Sequence, residues 1–270
     1  MLIKGISVIS AIAALAAYVF AYRLYFVPLT FIACFLILLL AWALSCVICT
    51  MFVDKDKPCK KNNPLFRFYA NCIIDTVLQV LRVKLHVSGT EMLPDEKFLF
   101  VGNHRSSMDP IIEMGILRKY NTGFIAKREL FEIPVIGRIM HKNFCLSLNR
   151  GQPRDEVNTV IQAINIIRSN EATIGIYPEG TRNQGSGILP LKNGAFKIAQ
   201  KARCPIVVGY IRNSEQIIKN GPLKRTDVYL DIIGMLSAEL AAKSSTSEIG
   251  EAVKNMFEKC INNNLNGGQE

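Results

Sequence analysis

The sequence predicts an α/β fold, with a mixed, largely parallel central sheet flanked by helices, behind an N-terminal membrane-anchoring helical segment. Three observations lead to this prediction. Residues 1–53 are almost entirely apolar, whereas the rest of the chain has the regular charge of a globular protein. Short, continuous apolar runs then alternate with segments of helical periodicity. Continuous apolar runs are typical of strands buried on both faces, as in parallel sheets.

The charge of the chain is strongly positive and unevenly distributed. The 270 residues have a net charge of +10 and are 50% hydrophobic, an unusual combination for a soluble basic protein. Most of the basic excess follows residue 53. It indicates an anionic partner: a phosphate-bearing substrate, an anionic membrane surface or nucleic acid. Solubility alone is the other explanation, and charge by itself does not separate the two.

The eight cysteines lack the spacing of a disulfide framework. Cys46 and Cys49 form a C-x-x-C, but they lie within an apolar run. A redox or zinc motif requires a polar, accessible setting, so neither role is predicted for them. The cysteines favour a reducing, cytosolic environment for the globular part of the chain.

The N-terminal segment contains two long apolar runs. Residues 5–22 and 24–53 carry no charged side chain, and each approaches or exceeds the ~20 apolar residues that a helix needs to cross a bilayer. A cleaved signal peptide does not fit this length. One spanning helix preceded by an interfacial helix, or a hairpin of two helices, remains. We favour the hairpin, because it places Lys4 and the lysines at 55–61 on one side, which the positive-inside rule makes cytoplasmic.

The chain divides into four predicted segments. They are the membrane-anchoring segment at 1–53, a linker and amphipathic helix at 54–88, a globular domain at 89–262 and a polar tail at 263–270. Apolar residues between 65 and 81 recur at helical spacing. They predict a helix that lies either in the membrane interface or in the core of the globular domain.

Within the globular domain, apolar runs predict strands and periodic segments predict helices. Asp109 and Pro110 have the residue types of an N-cap and a first helical position, and they open a helix that runs through Leu117. Ser245 and Glu248 form a capping box before another helix. Further helices are predicted at 157–167 and 194–202, and strands at 97–102, 123–126, 144–148, 172–177, 205–210 and 228–233.

The residues that follow the strand at 97–102 carry the strongest chemical signal. His104 lies on a strand-to-helix loop, where the active sites of open α/β sheets occur. A histidine can take up and return a proton near neutral pH, and such a base needs a partner that orients its second ring nitrogen. Asp109 follows five positions later and can fold against His104. The structural alternatives are a loop histidine bonded to backbone and a plain N-cap.

A second polar segment leaves the strand at 172–177. Gly180 permits close approach of the backbone, Thr181 offers a hydroxyl, and Arg182 offers a forked donor that matches phosphate. Lys127, at the end of another predicted strand, adds a cation. Taken alone, this segment is better explained as a surface turn.

Four ordered blocks together resemble the glycerolipid acyltransferase family. They are Asn-His-x-Ser-x-x-Asp at 103–109, Lys-x-x-Leu-x-x-x-Pro-x-x-Gly at 127–137, Pro-Glu-Gly-Thr-Arg at 178–182 and Pro-Ile-Val at 205–207. Each block is modest by itself, but their order and spacing are highly specific, and the resemblance covers residues 66–220. Tyr177 stands where phenylalanine is commoner. The resemblance implies a glycerol-3-phosphate acyltransferase-like fold, with 89–262 as the acyltransferase domain.

The resemblance also implies an activity. An enzyme of this kind transfers a fatty acyl group from a thioester, acyl-CoA or acyl carrier protein, to the free sn-2 hydroxyl of 1-acylglycerol 3-phosphate (lysophosphatidic acid), making phosphatidic acid in phospholipid biosynthesis. His104 would be the general base and Asp109 its orienting partner. The substrate-binding residues that the resemblance implies are Asn103, Ser106, Lys127, Arg150, Glu179, Gly180, Thr181 and Arg182.

The same resemblance implies no cofactor and no metal. The implied partners are lysophosphatidic acid, the thioester and membrane lipid, at a cell membrane with the catalytic domain facing the cytoplasm. The alternatives are another acceptor (glycerol 3-phosphate, a lysophospholipid or a lyso-aminolipid) or a non-catalytic lipid-binding membrane protein. A nucleic-acid binder is disfavoured because the basic residues lack interleaved aromatics. A zinc hydrolase is disfavoured because three distant histidines include no H-E-x-x-H motif.

Overall fold

The computed structural model of the chain describes residues 2–21, 26–55, 57–149, 151–185 and 187–266. Ten α-helices and seven strands lie within these ranges. The N-terminal pair of helices is followed by a single sheet with helices on both faces.

The N-terminal segment forms two helices that pack against each other, α1 (Leu2–Ala21) and α2 (Phe26–Met51). Their apolar side chains are largely exposed; Ile37, for example, is 64% exposed. Within the described part of the chain, one stretch, Val27–Met51 of α2, is long and apolar enough to cross a membrane. The apolar stretch of α1, Leu2–Ala16, is shorter. The paired helices fit the predicted hairpin, while the number of spanning helices stays a prediction.

Helix α3 (Pro64–Val80) connects α2 to the sheet. It begins at Asn63, whose side chain accepts hydrogen bonds from the amides of Leu65 (3.0 Å) and Phe66 (3.4 Å) and so satisfies two helix N-terminal donors. One buried part of the helix packs with α2 and α5 through a small apolar cluster: Cys46, Val53, Phe66, Tyr69, Ala70 and Ile139. Ile74 and Leu78 pack under the sheet. The buried face of α3 therefore packs in the core of the domain, which is one of the two placements that the sequence predicts.

The sheet has seven strands in the order β1-β7-β6-β2-β5-β3-β4. All neighbours are parallel except β6 and β7, which are antiparallel. The predicted mixed, largely parallel sheet is confirmed. The strands are β1 (Val83–Ser88), β2 (Leu99–Gly102), β3 (Gly123–Lys127), β4 (Leu146–Leu148), β5 (Ile174–Ile176), β6 (Ile206–Arg212) and β7 (Thr226–Leu236).

The first strand, β1, lies in the segment that the sequence assigns to a linker. It pairs with β7 in parallel register, Val83 opposite Thr226. The boundary predicted at residue 88 therefore falls after the first strand of the sheet. The division of the chain into segments otherwise stays a prediction.

Two apolar clusters fill the two faces of the sheet. Alternate residues of β2 point to opposite faces, as the period of two in a strand requires: Val101 lies in the cluster with α6, α7 and α10, and Phe100 in the cluster with α3 and α4. Both side chains are 0% exposed. The helices of the domain are α4 (Asp109–Ile116), α5 (Ile136–Lys142), α6 (Pro153–Arg168), α7 (Lys197–Ala202), α8 (Gln216–Asn220), α9 (Ala238–Lys243) and α10 (Thr246–Asn266).

The predicted capping box before α10 is confirmed. The amide of Ser245 donates to Glu248 Oε2 at 2.7 Å, and the amide of Glu248 donates to Ser245 Oγ at 3.2 Å. The helix predicted at 194–202 differs in detail, because a 3-10 turn (Asn193–Phe196) precedes α7.

The parallel strands bring five loops to one edge of the sheet. Strands β6, β2, β5, β3 and β4 are consecutive neighbours in the sheet and run in the same direction. Their carboxyl ends therefore meet at one side, which we call the carboxyl edge. Open α/β sheets bind ligands beyond this edge.

Candidate active site

The carboxyl edge collects most of the residues that the sequence predicts for the site. His104 follows β2, the segment 177–182 follows β5, and Lys127 ends β3. Asn149 follows β4, and its neighbour Arg150 lies outside the described residues. Pairings between strands far apart in sequence create this arrangement.

His104 and Asp109 are in contact. The Nδ1 atom of His104 lies 2.9 Å from Asp109 Oδ2, with the histidine side chain 18% exposed and the aspartate 0% exposed. Asp109 Oδ2 also accepts hydrogen bonds from the backbone amides of Arg105 and Ser106, both at 2.7 Å. An Nδ1–H that donates to Asp109 leaves the other ring nitrogen, Nε2, as the one that can accept a proton.

The sequence interpretation of Asp109 as an N-cap is wrong. Asp109 is the first residue of α4, and the cap position belongs to Met108, whose side chain makes no capping bond. The carboxylate of Asp109 reaches back along the chain to Arg105 and Ser106 instead of forward into the helix. The carboxylate therefore binds the loop that carries His104 instead of the N-terminus of α4.

A hydroxyl that the sequence analysis missed completes the surroundings of Asp109. Ser214 follows β6, is 0% exposed and donates its Oγ–H to Asp109 Oδ1 at 2.5 Å. It stands 105 positions from Asp109 in sequence, and no local motif marks it. Only the parallel pairing of β6 with β2 brings the two together.

The imidazole of His104 stacks on the ring of Tyr177. The ring centroids are 4.2 Å apart and the planes differ by 9°. The hydroxyl of Tyr177 donates to Glu113 Oε2, deep in the domain. Burial raises the pKa of the Glu113 carboxyl well above its ordinary value; the charge of Asp109 raises it further, and the Tyr177 hydrogen bond opposes both. Glu113 lies four residues after Asp109 on α4, a spacing that puts both on one helix face.

Three of the predicted substrate-binding residues use their polar atoms within the protein. Asn103, 3% exposed, bonds the backbone of Ile211 through both ends of its amide, at 2.9 and 2.7 Å. Ser106, 4% exposed, accepts from the Met108 amide at 3.2 Å. These bonds tie the His104 loop to β6 and shape its turn. Substrate binding by these residues stays a prediction.

Glu179 is the third inward-facing residue and connects two loops. It is 5% exposed. Its Oε1 accepts from the backbone amide of His104 at 2.9 Å, and its Oε2 accepts from the Leu189 amide at 3.0 Å. This carboxylate holds the loop after β5 against the loop after β2. A direct contact with substrate stays a prediction for it as well.

The exposed polar groups beside His104 are largely cationic. Thr181, Arg182 and Lys127 are exposed. Gly180 has φ of +69°, and a Cβ atom there would lie 2.9 Å from Lys192 Nζ. The side chain of Lys192 therefore passes directly over Gly180 and adds a third cation to this part of the edge. Cations and free backbone together suit a phosphate.

A metal site is not apparent in the part of the chain that the structure describes. No group of three or more His, Cys, Asp or Glu side chains there is arranged to hold an ion. The predicted independence from metals and cofactors stays untested.

The comparisons with known proteins point to an acyltransferase. Residues 84–212 match the family model described as Acyltransferase. The resemblance to glycerolipid acyltransferases is confirmed.

Individual relatives carry a more specific name. The 1-acyl-sn-glycerol-3-phosphate acyltransferase of Saccharomyces cerevisiae is 27% identical over 192 residues, covering 70% of this chain and 63% of the yeast protein. A chloroplastic enzyme of the same name from Brassica napus is 31% identical over 180 residues, covering 63% of this chain and 51% of the plant protein. The Escherichia coli enzyme is 24% identical over 163 residues, covering 60% of this chain and 66% of the bacterial protein. The chain thus spans about half to two thirds of these relatives.

A solved structure supports the fold. The crystal structure of the 1-acyl-sn-glycerophosphate (LPA) acyltransferase from Thermotoga maritima matches with a TM-score of 0.60 and 24% identity, covering 73% of this chain and 78% of that chain. The predicted fold class is confirmed by this match.

Proposed function

We propose that the protein acylates the free sn-2 hydroxyl of 1-acylglycerol 3-phosphate, with a fatty acyl thioester as donor, and so makes phosphatidic acid. The observation that carries this proposal is the contact between His104 and the buried, fully hydrogen-bonded Asp109. The names of the relatives supply the acceptor.

In the proposed reaction His104 is the general base. Its Nε2 removes the proton from the acceptor hydroxyl, and the oxygen attacks the carbonyl carbon of the thioester. The tetrahedral intermediate then breaks its C–S bond, and the departing sulfur takes the proton back from the imidazolium. Proton transfer of this kind contributes about 10²–10⁴-fold to a rate.

Asp109 orients His104 and stabilises the imidazolium while it exists. The logic is that of a Ser-His-Asp triad, with the nucleophile supplied by the substrate. Four hydrogen bonds hold the carboxylate, from His104, Arg105, Ser106 and Ser214. A carboxylate that cannot rotate keeps the imidazole in one tautomer and one orientation.

The exposed cations would bind the phosphate of the acceptor. Lys127 ends β3, and Arg182 and Lys192 lie on the loop after β5, which contacts the loop that carries His104. Arg150 is proposed for the same role from the sequence blocks. Guanidinium and ammonium groups bind phosphate strongly where water is partly excluded.

The N-terminal helices would keep the site at the bilayer, where the acceptor and its acyl chain are found. The apolar stretch Val27–Met51 supports membrane anchoring. We propose the cytoplasmic side for the catalytic domain, because Lys4 and the lysines at 55–61 follow the positive-inside rule.

The test is acyl transfer in membranes that contain the wild type or His104→Ala. Lysophosphatidic acid and glycerol 3-phosphate are offered as acceptors, each with acyl-CoA and with acyl carrier protein thioester. We expect phosphatidic acid from the wild type alone, and the faster thioester identifies the donor. Equal use of glycerol 3-phosphate would overturn the proposed acceptor, and an active His104→Ala variant would overturn the proposed base.

A further inference from the structure

The aromatic ring beneath His104 is partly buried and is paired with a fully buried carboxyl. Tyr177 stacks on the imidazole at 4.2 Å and 9°, and its hydroxyl donates to Glu113 Oε2. On its other side Tyr177 stacks on Phe124, with ring centroids 5.4 Å apart and planes 19° apart. His104, Tyr177 and Phe124 therefore form one column of rings that leads from the carboxyl edge into the core.

Glu113 stands at the inner end of this arrangement and is fully buried. Its Oε1 has no hydrogen-bond partner among the described residues. A Cβ atom on Gly102 would lie 3.0 Å from that oxygen and 3.1 Å from the Tyr177 ring. Gly102, the last residue of β2, therefore provides the space that the Glu113 and Tyr177 side chains occupy, because it has no side chain of its own.

Charge is disfavoured on both members of this pair. Burial raises the pKa of Glu113, and the neighbouring charge of Asp109 does so too. Burial also raises the pKa of Tyr177 well above its ordinary value, reinforced by Glu113 and Asp109. Burial thus favours the uncharged form of both groups, and the phenol donates to the Glu113 carboxyl. A second carboxylate this close to Asp109 would oppose its charge.

We propose that Tyr177 and Glu113 are positioning residues for His104. The ring of Tyr177 keeps the imidazole in the plane that faces Asp109, and the neutral carboxyl of Glu113 keeps that ring in place. This inference rests on the proposed function, in which His104 is the base.

The arrangement acts on the chemical step more than on substrate binding. His104 is neutral when the substrates bind and becomes an imidazolium as the acceptor loses its proton. A cation over the face of a tyrosine is attracted to the ring, and the attraction is absent while the imidazole is neutral. Interactions gained only in the transition state raise kcat and leave KM unchanged.

The first part of the test removes the ring. We expect Tyr177→Leu to lower kcat roughly fivefold to thirtyfold, with the KM of both substrates within about twofold of the wild type. Tyr177→Phe retains the ring but loses the bond to Glu113, and we expect a smaller loss. Tyr120→Leu is the control, because Tyr120 is a tyrosine of the same domain, 4% exposed, that packs on Phe98 instead of His104. It should lower thermal stability without lowering kcat.

The second part separates a neutral Glu113 from a charged one. Glu113→Gln keeps an acceptor for the Tyr177 hydroxyl and carries no charge, so kcat should stay within about twofold of the wild type. Glu113→Ala removes the acceptor and should lower kcat about as much as Tyr177→Phe. A Glu113→Gln variant that folds but loses activity tenfold or more would show that the carboxyl acts as an anion or a proton carrier, which overturns the proposal.

A chemical readout keeps the inference separate from the proposed activity. Diethyl pyrocarbonate modifies neutral imidazoles, and peptide mass spectrometry distinguishes His104 from His86 and His141. We expect His104 to react several-fold faster in Tyr177→Leu than in the wild type, with His86 unchanged as an internal control. This holds even if the wild type acylates no acceptor, which would remove the proposed function alone. Unchanged His104 reactivity together with an unchanged kcat would remove the inference.

Discussion

The domain contains two histidine–aspartate pairs that look alike at close range. His104 Nδ1 lies 2.9 Å from Asp109, and His86 Nε2 lies 2.7 Å from Asp227. Each imidazole stacks on a tyrosine: His104 on Tyr177 at 4.2 Å and 9°, and His86 on Tyr229 at 4.7 Å and 16°. Contact distance and stacking therefore do not distinguish a candidate catalytic pair from a surface pair.

The two pairs differ in burial and in what else holds the aspartate. Asp109 is 0% exposed and accepts from two backbone amides and the Ser214 hydroxyl besides His104. Asp227 is 37% exposed, and the oxygen that contacts His86 also accepts a hydrogen bond from Arg225 at 3.1 Å. Water screens an exposed pair and lets its side chains move, whereas a buried, saturated carboxylate keeps one geometry. The two pairs therefore differ in how firmly the aspartate is held, not in the histidine–aspartate contact itself.

Position in the sheet separates them further. His86 lies in the middle of β1, paired in register with Tyr229 of β7. His104 lies on a loop at the carboxyl edge, next to the loops after β5 and β6. His104 thus lies among several loops, whereas His86 lies within a strand.

Removal of each histidine is the largest contrast that we predict. His104→Ala should lower acyl transfer about 10⁴-fold, the upper end of what a general base contributes. His86→Ala should leave kcat unchanged. Initial rates in membranes with matched protein levels measure both. A substantial loss in His86→Ala would contradict the distinction drawn between the two pairs.

Replacing the aspartates should give the next largest contrast. Asp109→Asn retains size but loses the charge that stabilises the imidazolium and can present only one oxygen to three N–H donors. We expect kcat to fall about 10²- to 10³-fold, with little change in KM. Thermal denaturation monitors folding of the variant. If kcat stayed near the wild-type value in a folded Asp109→Asn protein, His104 would not depend on this partner.

Two serines that donate to aspartates provide a smaller contrast: Ser214 bonds the buried Asp109, and Ser88 of β1 bonds Asp231 of β7. Ser214→Ala leaves Asp109 Oδ1 without its buried donor, so the free energy of unfolding should fall by about 1–3 kcal/mol and kcat by several-fold. Ser88 makes a similar 2.5 Å bond to Asp231 at an exposed position. Ser88→Ala is therefore the control, and chemical denaturation should find it close to the wild type.

The smallest effect concerns the pH dependence of the surface pair. The hydrogen bond from His86, and then that from Arg225, lowers the pKa of Asp227. A carboxyl with a lowered pKa in the folded state adds stability above the unfolded-state pKa, and this stability is lost as the pH falls through the folded-state pKa. Asp227→Asn should thus lower Tm slightly at neutral pH, and by progressively less as the pH falls below the ordinary carboxyl pKa. A larger deficit at acidic than at neutral pH would reverse the sign that we expect.

The sequence by itself determined what neighbouring residues impose on one another. Apolar runs marked strands such as β2 and β6, because a strand buried on both faces must be apolar throughout. His104 and Asp109 could be paired in advance because only five positions separate them, and the Ser245–Glu248 capping box could be identified for the same reason. Each of these features follows from a few consecutive side chains and the backbone groups that they satisfy.

The tertiary structure alone decided which distant groups meet. Strand β1 joins the sheet only by pairing with β7, some 140 residues later. Ser214 reaches Asp109 only because β6 lies beside β2. The inward orientation of Asn103 depends on the backbone of β6, and that of Glu179 on the backbone amide of His104 in the loop after β2. Tyr177 and Glu113 come together through the packing of α4 against the sheet. Such contacts depend on strand order and helix packing, and these are set by the free energy of the whole core instead of by any short stretch of sequence.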